Sequence, residues 1–261
     1  MALFAPANRP IRDWPARKVW VVGASTGIGA ALAQELLSRG ARVVISARNA
    51  SKLADVAQGH AAATVCTLDA TDAAAWREIA ASVHTDADPV DLLVYCAADY
   101  QPERVWNVHA ADVDATIAVN LNGAYYGLEA VLPRMVALGR GGVALVASVA
   151  GYVGLPGAAV YGPTKAALIN LAELAYCEVA RRGVGMYLVN PGFVATRLTA
   201  KNRFYMPALR TPEQAAEAIV RGFERGRFEI HFPRRFTLVL KLIRILPQRL
   251  RLSLLSRLEQ P

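Results

Sequence analysis

Residues 18–29 read K-V-W-V-V-G-A-S-T-G-I-G. Lys18 to Val22 is a short apolar run with the character of a strand. Gly23, Gly27 and Gly29 follow at once, and Ala30 to Arg39 reads as a helix that Gly40 stops. Strand, glycine turn and helix in this order build a phosphate cradle for a dinucleotide. The glycines let backbone N–H groups approach a pyrophosphate, and the helix N-terminus favours its negative charge. Gly23, Ser25, Thr26, Gly27, Ile28 and Gly29 are the candidate cradle residues. A glycine-rich turn without a ligand is the bland alternative.

Further along, strands and helices alternate. Arg42 to Ala47, Thr64 to Leu68, Val90 to Tyr95, Gly141 to Ala147, Gly185 to Val189 and Phe228 to Phe232 read as strands. Ser51 to Gln58, Thr71 to Val83, Ala111 to Leu138 and Tyr161 to Arg181 read as helices, and another opens at Thr211-Pro212 with Gln214 completing a capping arrangement. Such alternation predicts an α/β fold: a single Rossmann-like, doubly wound parallel sheet. The expected division is a catalytic domain over 1–232 and a basic, amphipathic helical C-terminal extension over 233–261.

Residues 148–165 read S-V-A-G-Y-V-G-L-P-G-A-A-V-Y-G-P-T-K. Ser148 ends an apolar strand. Tyr161 and Lys165 stand four apart at a helix start and share a face. An ammonium near a phenol favours the phenolate, so the pair suits proton exchange with a carbonyl or alcohol oxygen. Ser148 would hydrogen-bond that same oxygen as charge develops on it. At the end of the second strand stands Ala47-Arg48-Asn49, with no acid to accept from a ribose 2′-hydroxyl. Arg48 therefore favours NADP(H), with NAD(H) as the second candidate. A solvated arginine is the alternative there.

Hydrophobic residues are 54% of the chain and charged residues 19%, which excludes a disordered protein. Cys66, Cys96 and Cys177 form no metal-ligand spacing and no disulfide framework, so no metal is expected. His60, His84, His109 and His231 are scattered and read as surface or loop residues. Met1 to Pro15 reads as an irregular arm without a signal peptide, implying a reducing, cytoplasmic setting. Of the net charge of +8, +6 lies in residues 232–261, where Arg234, Arg235, Lys241, Arg244, Arg249, Arg251 and Arg257 face one acid, Glu259. The dense leucines of that tail favour lipid or a protein partner over nucleic acid. Peripheral contact with the inner face of a membrane is one expectation for it. A helix packed over the cleft or at a subunit interface is the other.

From Lys18 to Thr196 the chain resembles the short-chain dehydrogenase/reductase family, in its single-domain branch. G-A-S-T-G-I-G is similar to the coenzyme motif, and Asn120 in V-N-L-N-G to the helix asparagine that supports a proton relay. Ser148, Tyr161 and Lys165 match the rest of a catalytic tetrad. The resemblance implies an oxidoreductase that interconverts a carbonyl and a secondary alcohol. Tyr161 would be the acid/base, and Lys165 would also grip the nicotinamide ribose. Asp69, with its neighbour Ala70, corresponds to the adenine contact. Ala97 is a further candidate cofactor contact, Ala98 adds a methyl near the ribose, and Pro191, Gly192, Val194 and Thr196 belong to the nicotinamide loop. A homodimer or homotetramer pairing through the Asn120 and Tyr161 helices is implied as well. Two departures stand out: Val22 replaces a usual threonine, and Tyr95-Cys96-Ala97-Ala98 replaces N-N-A-G, removing hydrogen bonds that brace the sheet.

Tyr152, Val153, Leu155, Phe193, Leu198, Phe204, Tyr205 and Met206 are candidates to line a small-molecule substrate site. Arg197, Lys201 and Arg203 are the cations near it. The set is mostly apolar and suggests an apolar or lipid-like substrate, although half of it could be ordinary core. A nucleotide-binding sensor or scaffold with little turnover is the competing function.

Overall fold

The computed structural model describes residues 5–258; Met1 to Phe4 of the arm and Glu259 to Pro261 of the tail lie outside the described residues. Seven strands, Lys18–Val22 (β1), Arg42–Ala47 (β2), Ala63–Thr67 (β3), Leu92–Tyr95 (β4), Gly142–Val146 (β5), Gly185–Pro191 (β6) and Glu229–Phe232 (β7), form one sheet in the order β3-β2-β1-β4-β5-β6-β7. Every pairing is parallel. The central strands are nearly continuous runs of Val, Leu and Ile because helices bury them on both faces. Gly27–Ser38 (α1), Ala50–Ala57 (α2) and Pro212–Glu224 (α7) cover one face. Ala73–Val83 (α3), Gly123–Leu138 (α5) and Tyr161–Val179 (α6) cover the other. The expected Rossmann-like fold is the observed one.

Local chemistry sets the boundaries. Asp72, not Thr71, caps α3, accepting from the N–H groups of Ala74 and Ala75. Thr71 instead donates to Asp69 through both its N–H and its hydroxyl. Thr211 and Gln214 close a reciprocal capping box at α7. The long helix expected over 111–138 is interrupted. It runs as Ala110–Ile117 (α4), then a wide π-turn over Ala118–Asn122, then α5. That extra residue per turn swings Asn120 inward, where it is fully buried.

Tyr95 supplies a brace of its own. Its ring stacks at 6.2 Å on Trp76, which lies 5.1 Å from Trp20. Its hydroxyl donates to the Val119 carbonyl inside the π-turn. In place of the hydrogen bonds an asparagine would make there, the longer phenol reaches the π-turn. The room comes from Gly123, where a Cβ would collide with the Tyr95 hydroxyl and meet the Ala70 carbonyl at 2.6 Å.

Two other expectations are revised. His84 is buried, accepting from the Val90 N–H at 2.9 Å and lying 3.2 Å from the Val131 carbonyl; burial holds its pKa below the ordinary value. His231 sits in β7, 2.6 Å from the Thr237 hydroxyl. From Ala5 onward the N-terminal arm is docked, irregular up to a 3₁₀ turn at Trp14–Ala16. Asn8 is buried and exchanges two hydrogen bonds with Met186, and Trp14 is buried against Phe223.

The tail is helical: Arg234–Ile245 (α8) and Gln248–Ser256 (α9), parted by Pro247. The inner face of α8 belongs to the core, with Thr237 and Leu240 buried and Phe236 and Ile243 packed beside them. Lys241 donates to Glu229, which also accepts from the Tyr152 hydroxyl and from Asn190 at 2.9 Å.

Candidate active site

A cleft of about 400 Å³ opens at the carboxyl ends of the central strands, beside the switch point between β1 and β4. Gly23, Ser25, Thr26, Gly27, Ile28 and Gly29 form its floor. Three glycines there are constrained, Gly29 because a Cβ on it would stand 2.3 Å from the Gly23 carbonyl oxygen. Gly23 has φ +85°, and a Cβ on it would stand 2.5 Å from the Ala97 nitrogen. Gly27 has φ +60° and would press Thr196 at 3.0 Å. Thr26 makes no side-chain cap bond, so the first-turn N–H groups of α1 have no cap oxygen and suit an anion.

Arg48, Asp69, Ala70, Ala97, Pro191, Gly192, Val194 and Thr196 line the same cleft, as do Ser148, Tyr161 and Lys165. The structure therefore brings together every residue expected to hold the cofactor. Sequence reading overlooked Lys52, in the first turn of α2 and also on the wall; the signal available was its place just after Arg48, at the start of the helix that follows β2. Asp69 is drawn two ways: burial raises its pKa, while the bonds from Thr71 and the Arg48 charge prevail and hold it below the carboxylate norm. A narrow glycine floor, an uncapped helix start and cations on the wall fit a nicotinamide dinucleotide.

Asn120 stands behind the cleft. Its side-chain oxygen accepts from the Asp99 N–H at 2.7 Å, and its amide donates to the Asp99 carbonyl at 2.9 Å and to the Thr164 hydroxyl at 3.1 Å. The Lys165 ammonium is buried, donates to the Val146 carbonyl at 2.9 Å and lies 5.4 Å from the Tyr161 ring centre. Burial draws its pKa down to about 8. The Tyr161 phenol is pushed up to about 12, by burial first, with the Ser148 hydroxyl pulling the other way. The expectation that Lys165 already acidifies the phenol is corrected: desolvation wins in this arrangement, and the phenol is protonated at neutral pH.

The substrate-side residues divide. Leu198 and Arg197 line the cleft. Tyr152 and Val153 do not; the first is buried on Glu229 and the second packs with the core. Tyr205 is 84% exposed. Phe193 makes ring contacts with Phe204 at 5.7 Å and with Phe236 of α8 at 5.6 Å. Sequence reading missed Tyr100. Its ring stands edge-on to Tyr161 at 5.0 Å, and its hydroxyl donates to Asn202 at 2.8 Å. Lys201 donates to the Tyr100 carbonyl at 2.6 Å, tying the segment after Thr196 to this side of the cleft.

A parallel sheet with a glycine cradle at its switch point, bordered by a serine, a tyrosine and a buried lysine, defines a nucleotide-binding oxidoreductase. The sequence pattern of the short chain dehydrogenase family matches residues 17–205, and the chain belongs to that family. An uncharacterized oxidoreductase of Myxococcus xanthus is 34% identical over 235 residues, covering 88% of this chain and 93% of that protein. A gluconate 5-dehydrogenase of Gluconobacter oxydans is 32% identical over 185 residues, covering 69% and 72%. Among solved structures, a short-chain dehydrogenase of Sphingobium yanoikuyae in complex with NADPH superposes with a TM-score of 0.76 at 24% identity, covering 94% and 97%.

Proposed function

We propose that this protein is an NADP(H)-dependent oxidoreductase that interconverts a carbonyl and a secondary alcohol on an apolar or lipid-like small molecule. The observation that carries the reading is the shared cleft: Ser148, Tyr161 and Lys165 border the space that Gly23, Gly27 and Gly29 keep open. A nicotinamide bound there supplies or takes up the hydride. The residues do the rest. Tyr161, protonated at rest, gives its proton to the substrate oxygen during reduction and recovers it during oxidation. The Ser148 hydroxyl hydrogen-bonds the same oxygen. Lys165, still charged at neutral pH, stabilises the phenolate once the proton has left. Asn120 holds the Asp99 backbone and Thr164 in register behind it.

NADP(H) is preferred because Arg48 and Lys52 border the cleft beyond β2, where a 2′-phosphate would need positive charge. Residues 1–232 form the catalytic domain in this reading, and 233–261 an extension of it. A cytoplasmic dimer or tetramer would pair α5 and α6, on which Tyr125 and Leu174 are exposed.

The test follows NADPH oxidation with a panel of apolar ketones and aldehydes, comparing wild type with Tyr161→Phe. Turnover by wild type and its loss in the variant, with NADPH binding kept by both, is the expected result. No turnover by a folded, NADPH-binding wild type would favour a nucleotide sensor instead.

A further inference from the structure

The two tail helices are apolar on the wrong side as well as the right one. The inner face of α8 is satisfied by the core, yet Leu238, Leu242 and Ile245 follow an i, i+4, i+7 stripe on the outer face, with Val239 beside them. Ile245 is 77% exposed. Leu250, Leu252 and Leu258 continue the exposure through and past α9. Cations flank this surface. Arg234, Arg235, Arg244, Arg249 and Arg257 are exposed, and among the described residues none of them pairs with an acid. No helix of the described residues is long and apolar enough to cross a membrane.

We propose that the outer face of α8 and α9 docks on the surface of an anionic lipid bilayer. Leucine and isoleucine side chains enter the headgroup boundary, and the surrounding arginines meet lipid phosphates. Charge decides between occupants. A second copy placed on this face by a two-fold axis would set the same uncompensated cations against themselves. A bilayer rich in phosphate supplies the missing anions. The Phe236–Phe193–Phe204 ring contacts join α8 to the loops bordering the cleft, so docking sets the substrate side near lipid; that last point rests on the function proposed above, while the docking does not.

The full chain is sedimented with vesicles of phosphatidylcholine alone and of phosphatidylcholine mixed with phosphatidylglycerol. Deleting the tail is a poor test, because Thr237, Leu240 and Lys241 hold the inner face. Leu242→Ser with Ile245→Ser, and separately Arg235→Glu with Arg249→Glu, change only exposed side chains, and the thermal midpoint of each reports folding. The protein is expected to pellet with the anionic vesicles and not with phosphatidylcholine, less so at high salt. Each double variant should weaken that binding by at least about tenfold with its midpoint unchanged. Failure of wild type to bind anionic vesicles, or equal binding by both folded variants, overturns the proposal. So does light scattering that finds an oligomer which the Leu242/Ile245 variant dissolves, since that assigns the face to a second copy. The readout is lipid binding, so loss of the proposed turnover would not imitate any of these results.

Discussion

The Lys165 ammonium lies 5.4 Å from the centre of the Tyr161 ring and donates to the Val146 carbonyl instead of sitting out in water. The two groups are pulled in opposite directions by the same dry surroundings, the lysine down to about 8 and the phenol up to about 12. Carbonyl reduction should hold steady through neutral pH and fall above about 8, as Lys165 loses the charge that steadies the phenolate. Plotting kcat/KM against pH checks this; Lys165→Arg, where it folds, should remove the break. A break that stays in that variant would detach it from Lys165.

The same lysine sets a slope in stability. Its folded pKa is below its unfolded value of roughly 10.4, so between about 8 and there the unfolded chain holds the extra proton and stability rises with pH. Tyr161 acts oppositely from about 10 upward, because its folded pKa is raised. Urea unfolding of wild type and Lys165→Met across this range should show the rise only in wild type. At neutral pH removing the buried charge favours the variant, and the Val146 carbonyl left without its donor offsets part of that gain.

Cofactor choice rests on two cations. Arg48→Ala and Lys52→Ala should each raise KM for NADPH roughly tenfold while leaving KM for NADH nearly unchanged. Equal effects on both cofactors would remove these side chains from the 2′-phosphate.

Tyr95→Phe removes one hydroxyl and leaves the Val119 carbonyl without its donor. A loss of about 1–2 kcal/mol in unfolding free energy is expected, with the fold retained. Chemical denaturation measures it; no loss would mean that the π-turn carries itself.

Glu229 is half-buried, which raises its pKa, but hydrogen bonds from Lys241, Tyr152 and Asn190 prevail and hold it below the usual range. Its contribution is therefore present above the ordinary carboxylate pKa and lost as pH falls through the folded value. Glu229→Gln should cost about 1–2 kcal/mol at neutral pH and flatten the acid side of the stability profile. An unchanged acid limb would show that other carboxylates set it.

Much of the fold could be read from Val19-Trp20-Val21-Val22 and its counterparts, because a strand buried on both faces admits few residue types. The cofactor wall was legible for a related reason: Gly23 and Gly27 sit at positive φ, which side chains rarely adopt, and a Cβ on Gly23 would strike the Ala97 backbone. What escaped reading depends on contacts distant in sequence. Nothing near Tyr100 announces that it will stand edge-on to Tyr161, and nothing near Tyr152 announces Glu229, 77 residues on. Helical periodicity across 111–138 also concealed the π-turn, since one extra residue barely disturbs a 3.6 repeat. The acidity of Tyr161 was misjudged because proximity of a cation is visible in Y-x-x-x-K while desolvation is not.

The phenol at position 95 and the missing side chain at position 123 occupy the same few cubic ångströms. Neither site can drift by itself: a methyl at 123 evicts the ring, and a shorter residue at 95 leaves a hollow beside Trp76 and a carbonyl with nothing to hold. The Ala70 carbonyl also stands 2.6 Å from where that methyl would lie, so position 123 would still need glycine with an asparagine at 95. Any homologue that keeps tyrosine at the end of this strand should carry glycine at the start of the facing helix.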